Sequence, residues 1–378
     1  MVKFVELSEA HFDPVKRFND RLEAGGQVEK FNPNPGDFHT GGDPEQTGFD
    51  HKKYVFVDKS GEMRAGYYLK DQTFQLGQEQ LTISNVQQPI SEGTVNPRYA
   101  PLALSIVKDC LARQPFAFAL GGGGLSMPVI KMYQGLKWQV IPIPFFLRLC
   151  RPSRFFKNLS ALRSTPARRA LMDFLAFTHI ADLPLAAIQR ARTRRDRAPK
   201  PSFQIVDHFE NWADSLWESC HAQYPFVAVR TARLLNIIYE DPRFQKVLIS
   251  KEGKAVGWAV CLTTDYQDNL YYGSLRVGTV VDLLALPGLE GTVVAGVTDC
   301  LRDGKADIVI SNQLHRSWQV AFDKLGYFRA PSRSALSLSP DLRDRCHDLK
   351  IAPEDIHMTR GDGERADGQL YFTSFPGP

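Results

Sequence analysis

The stretch GGLSMP, Gly123 to Pro128, sets Ser126 behind an apolar strand and ahead of a helical pattern, where a sharp turn can expose a serine hydroxyl as a nucleophile. The closing glycine of that motif is replaced by Pro128, and no Asp and His partners follow in an evident order, so hydrolase chemistry lacks two of its three groups. Four glycines, Gly121 to Gly124, invite a dinucleotide reading. That fingerprint requires a first βα unit and an acidic residue about 20 positions later, and neither is here. The six cysteines (110, 150, 220, 261, 300 and 346) form no C-x-x-C pair, which argues against a zinc site or a disulfide framework and for packing roles. TRGDGERADG, Thr359 to Gly368, has acidic residues among glycines without the spacing of a calcium loop, so no metal is expected.

The elements that would position such residues occur twice. YVFVDKSGEMRAGYYL (Tyr54 to Leu69) and VLISKEGKAVGWAVCL (Val247 to Leu262) both read strand, glycine turn, strand, with a glycine before an aromatic in each. FAFALGGGGLSMPVIKMYQGLKW (Phe116 to Trp138) and DIVISNQLHRSWQVAFDKLGY (Asp307 to Tyr327) both read apolar strand, loop, helix, aromatic stop. Gly66 to Trp138 is 72 positions and Gly257 to Tyr327 is 70, so spacing persists where the letters differ. A duplicated α/β unit of ordinary domain size accounts for this, and 378 residues suit two such domains. Antiparallel strands followed by strand, helix, strand, helix, strand predict a mixed sheet with helices on both faces. In the first half the last strand pair is expected around Trp138 to Leu149, and in the second the last strand near Ser334 to Leu338.

Net charge is +4, yet residues 151 to 200 hold twelve Arg or Lys against three Asp, a local +9 that leaves −5 elsewhere. This segment reads as a solvated helical linker, or else as an anion-facing surface for a phosphorylated substrate or an acidic leaflet. Nucleic acid is a poorer partner, because no recognisable reading module backs the basic residues. No run of 18 apolar residues exists and MVKFVELSEA lacks a signal-peptide layout, so a cytoplasmic protein, open to peripheral membrane contact, is expected.

The closing blocks YQGLKW (Tyr133 to Trp138) and FDKLGY (Phe322 to Tyr327), in this element order, resemble the GNAT acyltransferase fold, whose last block commonly reads Y-E-K-L-G-F. The resemblance covers about residues 1 to 150 and 203 to 340. It implies two tandem GNAT-like domains of α/β (α+β) class, each a mixed, mostly antiparallel sheet with helices on both faces. The limits it implies are 1–150, a basic helical linker 151–202, a second domain 203–340 and a tail 341–378. Tandem arrangements are also similar to the Fem family of aminoacyl-tRNA-dependent ligases and to GNAT-type proteins of polysaccharide or cell-envelope chemistry.

What the resemblance implies chemically is transfer of an acyl group from acetyl-CoA or another acyl-CoA to an amine of a sugar, amino acid or envelope precursor. Such a reaction needs donors for the developing oxyanion, an acid for the leaving thiolate and a cradle for the coenzyme pyrophosphate. The family's cradle is a Q/R-x-x-G-x-G/A turn opening a helix. NPRYAPLALS stands there, framed from Arg98 with Pro101 and Ala103, or from Ala100 with Ala103 and Ser105, and Pro101 removes one amide donor. Coenzyme contacts are expected at Gln87, Gln88, Arg98, Ala100, Leu102, Ala103, Ser105, Gly122 and Ser126. In the second half ALPGLEGT spaces Gly288 and Gly291 differently, and Glu290 would repel a pyrophosphate. Tyr133 falls on the family's general acid where the second half has Phe322, which favours the first half as the active one. Glu92 and Asp282 are the candidate bases; His315 and Trp318 read as capping and packing. Two other outcomes stay open: a degenerate pair that only binds a ligand or partner, and a Fem-like ligase whose 151 to 200 segment meets RNA phosphates.

Overall fold

The computed structural model describes residues 3–32, 48–158, 200–269, 272–330 and 332–363, so most of the expected basic linker lies outside the described residues. The first half runs β1 (Val5–Glu6), α1 (Phe12–Ala24), β2 (Phe49–Val57), β3 (Met63–Leu76), β4 (Glu79–Ser91), α2 (Leu102–Arg113), β5 (Ala117–Gly121), α3 (Pro128–Gly135) and β6 (Gln139–Pro142). Then come β7 (Phe145–Leu149), α4 (Pro152–Asn158), β8 (Ser202–Val206), α5 (Asn211–Cys220), β9 (Phe226–Ala228), α6 (Ala232–Ile238), β10 (Gln245–Lys251) and β11 (Lys254–Asp265). The chain continues through β12 (Arg276–Ala285), α7 (Glu290–Asp303), β13 (Ile308–Asn312), α8 (Arg316–Lys324), β14 (Phe328–Ala330), β15 (Ala335–Leu338), α9 (Pro340–Asp348) and β16 (Ile356–His357).

Local chemistry fixes these elements. The β2–β3 turn closes because the Asp58 carboxylate accepts from the Ser60 and Glu62 amides while Gly61 takes φ +79°. Thr231 caps α6 through the Leu234 amide and Ser339 caps α9 through the Leu342 amide. In the first sheet Ala65, Tyr67 and Leu69 pack with Leu102 and Ile106 of α2, whereas Tyr68 packs with Val15, Phe18 and Leu22 of α1. Side chains alternate across a strand, so helices cover both faces of β3, as the pattern predicts. In β11 the consecutive residues Trp258, Ala259, Val260 and Cys261 are all buried, the mark of a strand covered on both sides.

The described residues divide into two compact units, one drawn from within 1–142, 333–352 and 362–364, the other from within 143–332 and 353–361. Strands in the first follow the order β1-β2-β3-β4-β5-β15-β6, and in the second β14-β7-β13-β12-β11-β10-β8. The fold class is therefore the expected one, two mixed and mostly antiparallel sheets. The strand pair expected around Trp138 to Leu149 is not a pair: β6 joins the first sheet and β7 the second. Each sheet has taken a strand from the other half of the sequence. β15 inserts between β5 and β6, and β7 inserts between β13 and β14. Alternating apolar residues mark a strand without naming its neighbour, so the exchange has no sequence signature. The stretch from 341 is likewise more than a tail, since Leu342, Cys346, Ile356 and Met358 are core residues.

The repeated glycines serve the two sheets unequally. A Cβ on Gly257 would meet the Leu284 carbonyl oxygen at 2.4 Å, a backbone atom of the adjacent strand. On Gly66 it would meet the ends of Phe31 and Met63, which can rotate. Gly257→Ala should cost about 2–3 kcal/mol in urea unfolding and Gly66→Ala clearly less. Equal costs would show that β11 and β12 can separate without loss.

Candidate functional site

Parallel strands β4 and β5 pair only at Ser84 with Ala117 and Asn85 with Phe118. Beyond that, β4 runs on to Ser91 and β5 to Gly121 as unpaired neighbours, so the sheet opens like a V toward their carboxyl ends. Ligands of open α/β sheets sit outside such carboxyl ends. β4 is bulged inside the opening: Gly66 faces Ile90 and Tyr68 faces Gln87, leaving Gln88 and Pro89 against Tyr67. Gln88 holds φ +43°, a costly conformation for a residue with a side chain, and its buried Oε1 finds no hydrogen-bond partner among the described residues. A bulge releases backbone groups from the ladder.

Antiparallel register aligns cross-strand rows on one face. Lys53, Tyr68 and Gln87 form one row, and His51, Lys70 and Asn85 the next. Every member is buried. Gln87 Nε2 donates to the Gly363 carbonyl at 3.0 Å and Lys70 Nζ to the same oxygen at 3.4 Å. Both side-chain atoms of Asn85, where the V begins, lack a hydrogen-bond partner among the described residues. Of these rows only Gln87 was among the expected site residues; His51, Lys53, Tyr68, Lys70 and Asn85 were not. Polar residues at every second strand position ordinarily read as a solvated face, and only burial distinguishes these.

At the mouth of the V, Glu92–Thr94 and Pro97–Tyr99 form two short turns before α2. Gly93 lets them fold back, because a Cβ there would meet the Ala100 Cα at 2.7 Å. The Asn96 side chain accepts from the Arg98 amide, leaving the Arg98 side chain exposed. Pro101 is the N-cap of α2 and no side chain caps that first turn, while Ala100, Ala103 and Ser105 lie on or near the surface. Small residues and uncapped amides at a helix start suit a phosphate. Across the V, Gly121 to Gly124 hold φ of +117°, +84°, +73° and +129°, a path open only to glycine, and Ser126 is exposed just beyond.

Tyr133 lies on the buried face of α3, stacked on Trp138 at 4.5 Å between ring centroids. Glu92 is 4 % exposed and held by cations: Arg64 Nη1 donates to both its oxygens at 2.9 and 2.8 Å, and Arg21 Nε donates to Oε2 at 3.1 Å. Arg21 also meets Glu62, and Arg64 meets Asp58. Held by two guanidiniums, Glu92 ties the turn after β4 to β3 and α1.

In the second unit the equivalent opening is filled by its own chain. β12 and β13 pair only from Val277–Ile308 to Thr279–Ile310. His357 Nε2 then donates to the Leu283 carbonyl at 3.1 Å, Thr359 Oγ1 to Asp282 Oδ1 at 3.0 Å, and Arg360 Nε to Asn312 Oδ1 at 3.0 Å. The segment around 357 to 360 thus bridges the diverging strands. Asp282, 2 % exposed, also accepts from Arg230, from the Tyr239 hydroxyl at 2.8 Å and from the Leu283 amide. It stands within β12, three residues before Ala285, which faces Gly257; Glu92 stands two residues past Ile90, which faces Gly66. The two candidate bases are therefore not at matching positions. Phe322 and Trp318 are fully buried, and His315 bonds Ser317 beside Tyr224, a packing role as expected. Glu290 is buried at the start of α7.

No protein-family model and no curated protein sequence matches the chain. Among solved structures it is similar to the N-myristoyltransferase of Saccharomyces cerevisiae with bound myristoyl-CoA, at TM-score 0.53 and 8% identity, over 89% of this chain and 78% of that one. A second structure of that enzyme with myristoyl-CoA gives 0.52 and 9%, over 89% and 82%. At such identity the likeness shows a shared fold.

Two outcomes follow. Glu92→Gln should destabilise the protein by about 1–2 kcal/mol in denaturant unfolding, because charge-assisted hydrogen bonds to Arg64 and Arg21 are lost while Asp58 and Glu62 still pair those arginines; an unchanged midpoint with lost activity would make Glu92 a base after all. Burial lowers His315 to about 4 and holds His357 well below the usual range. Both bind a proton more tightly when unfolded, so stability should be level above about pH 6.5 and fall toward pH 4, by up to about 1.4 kcal/mol per pH unit for each histidine. A His315→Gln variant should fall less steeply, and a melting temperature indifferent to pH in that window would contradict the assignment.

Proposed function

We propose that the chain is an acyl-CoA-dependent N-acyltransferase built as a tandem GNAT-like pair, with the thioester held in the opening of the first unit. The carrying observation is the asymmetry between the two openings: β4 and β5 diverge around a bulge, an uncapped helix start and a glycine loop, whereas the 356–360 segment lies across β12 and β13. The fold shared with an enzyme solved with myristoyl-CoA supports a coenzyme A thioester as donor.

In this reading the α2 start, with Arg98, Ala100, Leu102, Ala103 and Ser105, receives the pyrophosphate, and backbone along Gln87 and Gln88 lines the pantetheine arm. The neutral amine attacks the thioester carbonyl and a C–N bond forms. The carbonyl oxygen becomes an oxyanion that a bulge amide at Gln88 stabilises. The C–S bond then breaks, the Tyr133 hydroxyl delivers the proton to the thiolate, and the amine's proton leaves to solvent. Gly122 and Ser126 border the acyl side. The polar row of His51, Lys70 and Asn85 favours an acceptor that brings its own hydrogen-bonding groups, since unpaired buried amides are costly until matched.

Ala103→Glu should abolish acetyl-CoA and myristoyl-CoA binding in calorimetry without changing the apo melting temperature, because a carboxylate there competes with phosphate for the helix amides. Wild-type protein with coenzyme at 100 times its dissociation constant should gain about 2.7 kcal/mol. Unaltered coenzyme affinity in the variant would remove the cradle from the α2 start. Tyr133→Phe should lower kcat about 100-fold with coenzyme affinity unchanged, and equal turnover would make the hydroxyl structural.

A further inference from the structure

The second unit carries a cavity of about 440 Å³, lined by Arg151, Arg154, Arg276 and Lys305 with Asp265 and Tyr266 among its other walls. It lies at the amino ends of β12 and β13, whereas Asp282 and the 356–360 segment lie toward their carboxyl ends. None of the acyl-transfer chemistry above uses it.

Asp307 builds the site. Its carbonyl accepts from the Cys150 and Arg151 amides at 2.9 and 3.0 Å, and its carboxylate accepts from the Arg276 amide at 2.9 Å. The ends of β7, β12 and β13 are thereby pinned together, with Asp307 fully buried behind the cavity. That carboxylate does not saturate the cations in front. Arg154 Nε approaches Asp307 Oδ1 at 3.3 Å without a hydrogen bond's alignment, and Arg151 Nη1 stands 3.9 Å away. Arg276 Nη1 meets exposed Asp265 at 3.0 Å, but its buried Nε has no partner among the described residues. Lys305, at φ +67°, pairs with no carboxylate among them. Four cations thus line a cavity whose walls hold the carboxylate of Asp265, with Asp307 behind and Asp268 bonded to Ser274 beside it, so positive charge is in excess.

We propose that this cavity binds a phosphate monoester. Guanidinium forks match phosphate oxygens two at a time, a buried unpartnered N–H gains most from a charged acceptor, and an anion answers the excess of positive charge. The volume admits the ester as well as the phosphate, within the range usual for small-ligand sites. A free phosphorylated small molecule and the headgroup of phosphatidic acid, itself a phosphate monoester, share this chemistry.

The test uses the full chain without CoA, whose own 3′-phosphate is a monoester that would compete for the cavity, and CoA binding is titrated in a separate experiment. Glycerol 3-phosphate is titrated by calorimetry at low and at 0.3 M salt. Sedimentation with phosphatidic acid vesicles is compared with phosphatidylcholine vesicles. Wild type should bind the monoester, the vesicles or both, more weakly at high salt. Arg154→Glu combined with Lys305→Glu should weaken that binding at least tenfold, with the apo melting temperature unchanged. Arg154→Lys combined with Lys305→Arg should keep most of it. Binding of glycerol 3-phosphate alone assigns a free ligand, and binding of phosphatidic acid vesicles alone assigns a lipid headgroup. Wild type that binds neither, or a charge-reversed variant that binds as well as wild type, overturns the proposal. A chain that fails to bind CoA refutes the acyltransferase reading and leaves this result intact.

Discussion

Two parallel strands that share hydrogen bonds at only two residue pairs cannot satisfy their facing edges thereafter, and the first unit is arranged around that constraint. The divergence of β4 from β5 exposes backbone donors and acceptors that something else must meet. The bulge at Gln88, the folded-back turn from Glu92 to Tyr99, the helix start at Leu102 and the left-handed glycines all border the same gap. Glu92, gripped by Arg64 and Arg21, holds the turn against the body of the sheet and so fixes where α2 begins.

The second unit meets the same constraint by a different route. There the gap is closed from within, through His357, Thr359 and Arg360, and the closure is tied to Asp282 and to a stack of aromatic and imidazole rings. Gly361 permits the close pass, since a Cβ on it would run into the Tyr239 hydroxyl. A gap filled by its own chain leaves no opening between these two strand ends.

Much of this was legible in the letters. The strand and helix order, the paired glycines at Gly66 and Gly257, and the packing of Tyr327 and Trp138 follow from periodicity and spacing, which report burial directly. Besides the exchanged strands, three things were not. Glu92 and Asp282 have the composition of bases, and the guanidiniums that grip them, 28 and 52 residues away in sequence, leave no trace in the local spacing. The polar row of His51, Lys70 and Asn85 looks solvated until its burial is known. The stretch from 341 onward resembles a loose end because its core residues are widely spaced, and its value lies in where it goes.

The exchanged strands set a timetable for synthesis. β5 and β6 leave the ribosome early, but the strand that belongs between them is made some 190 residues later, at β15. At elongation rates of about 5–20 residues per second, the two edges would stay open for roughly ten to forty seconds. Edges of that kind recruit other chains. A gene split between β7 and β8 would yield two products, each with a gap in its sheet that the strand made by the other fills in the intact chain.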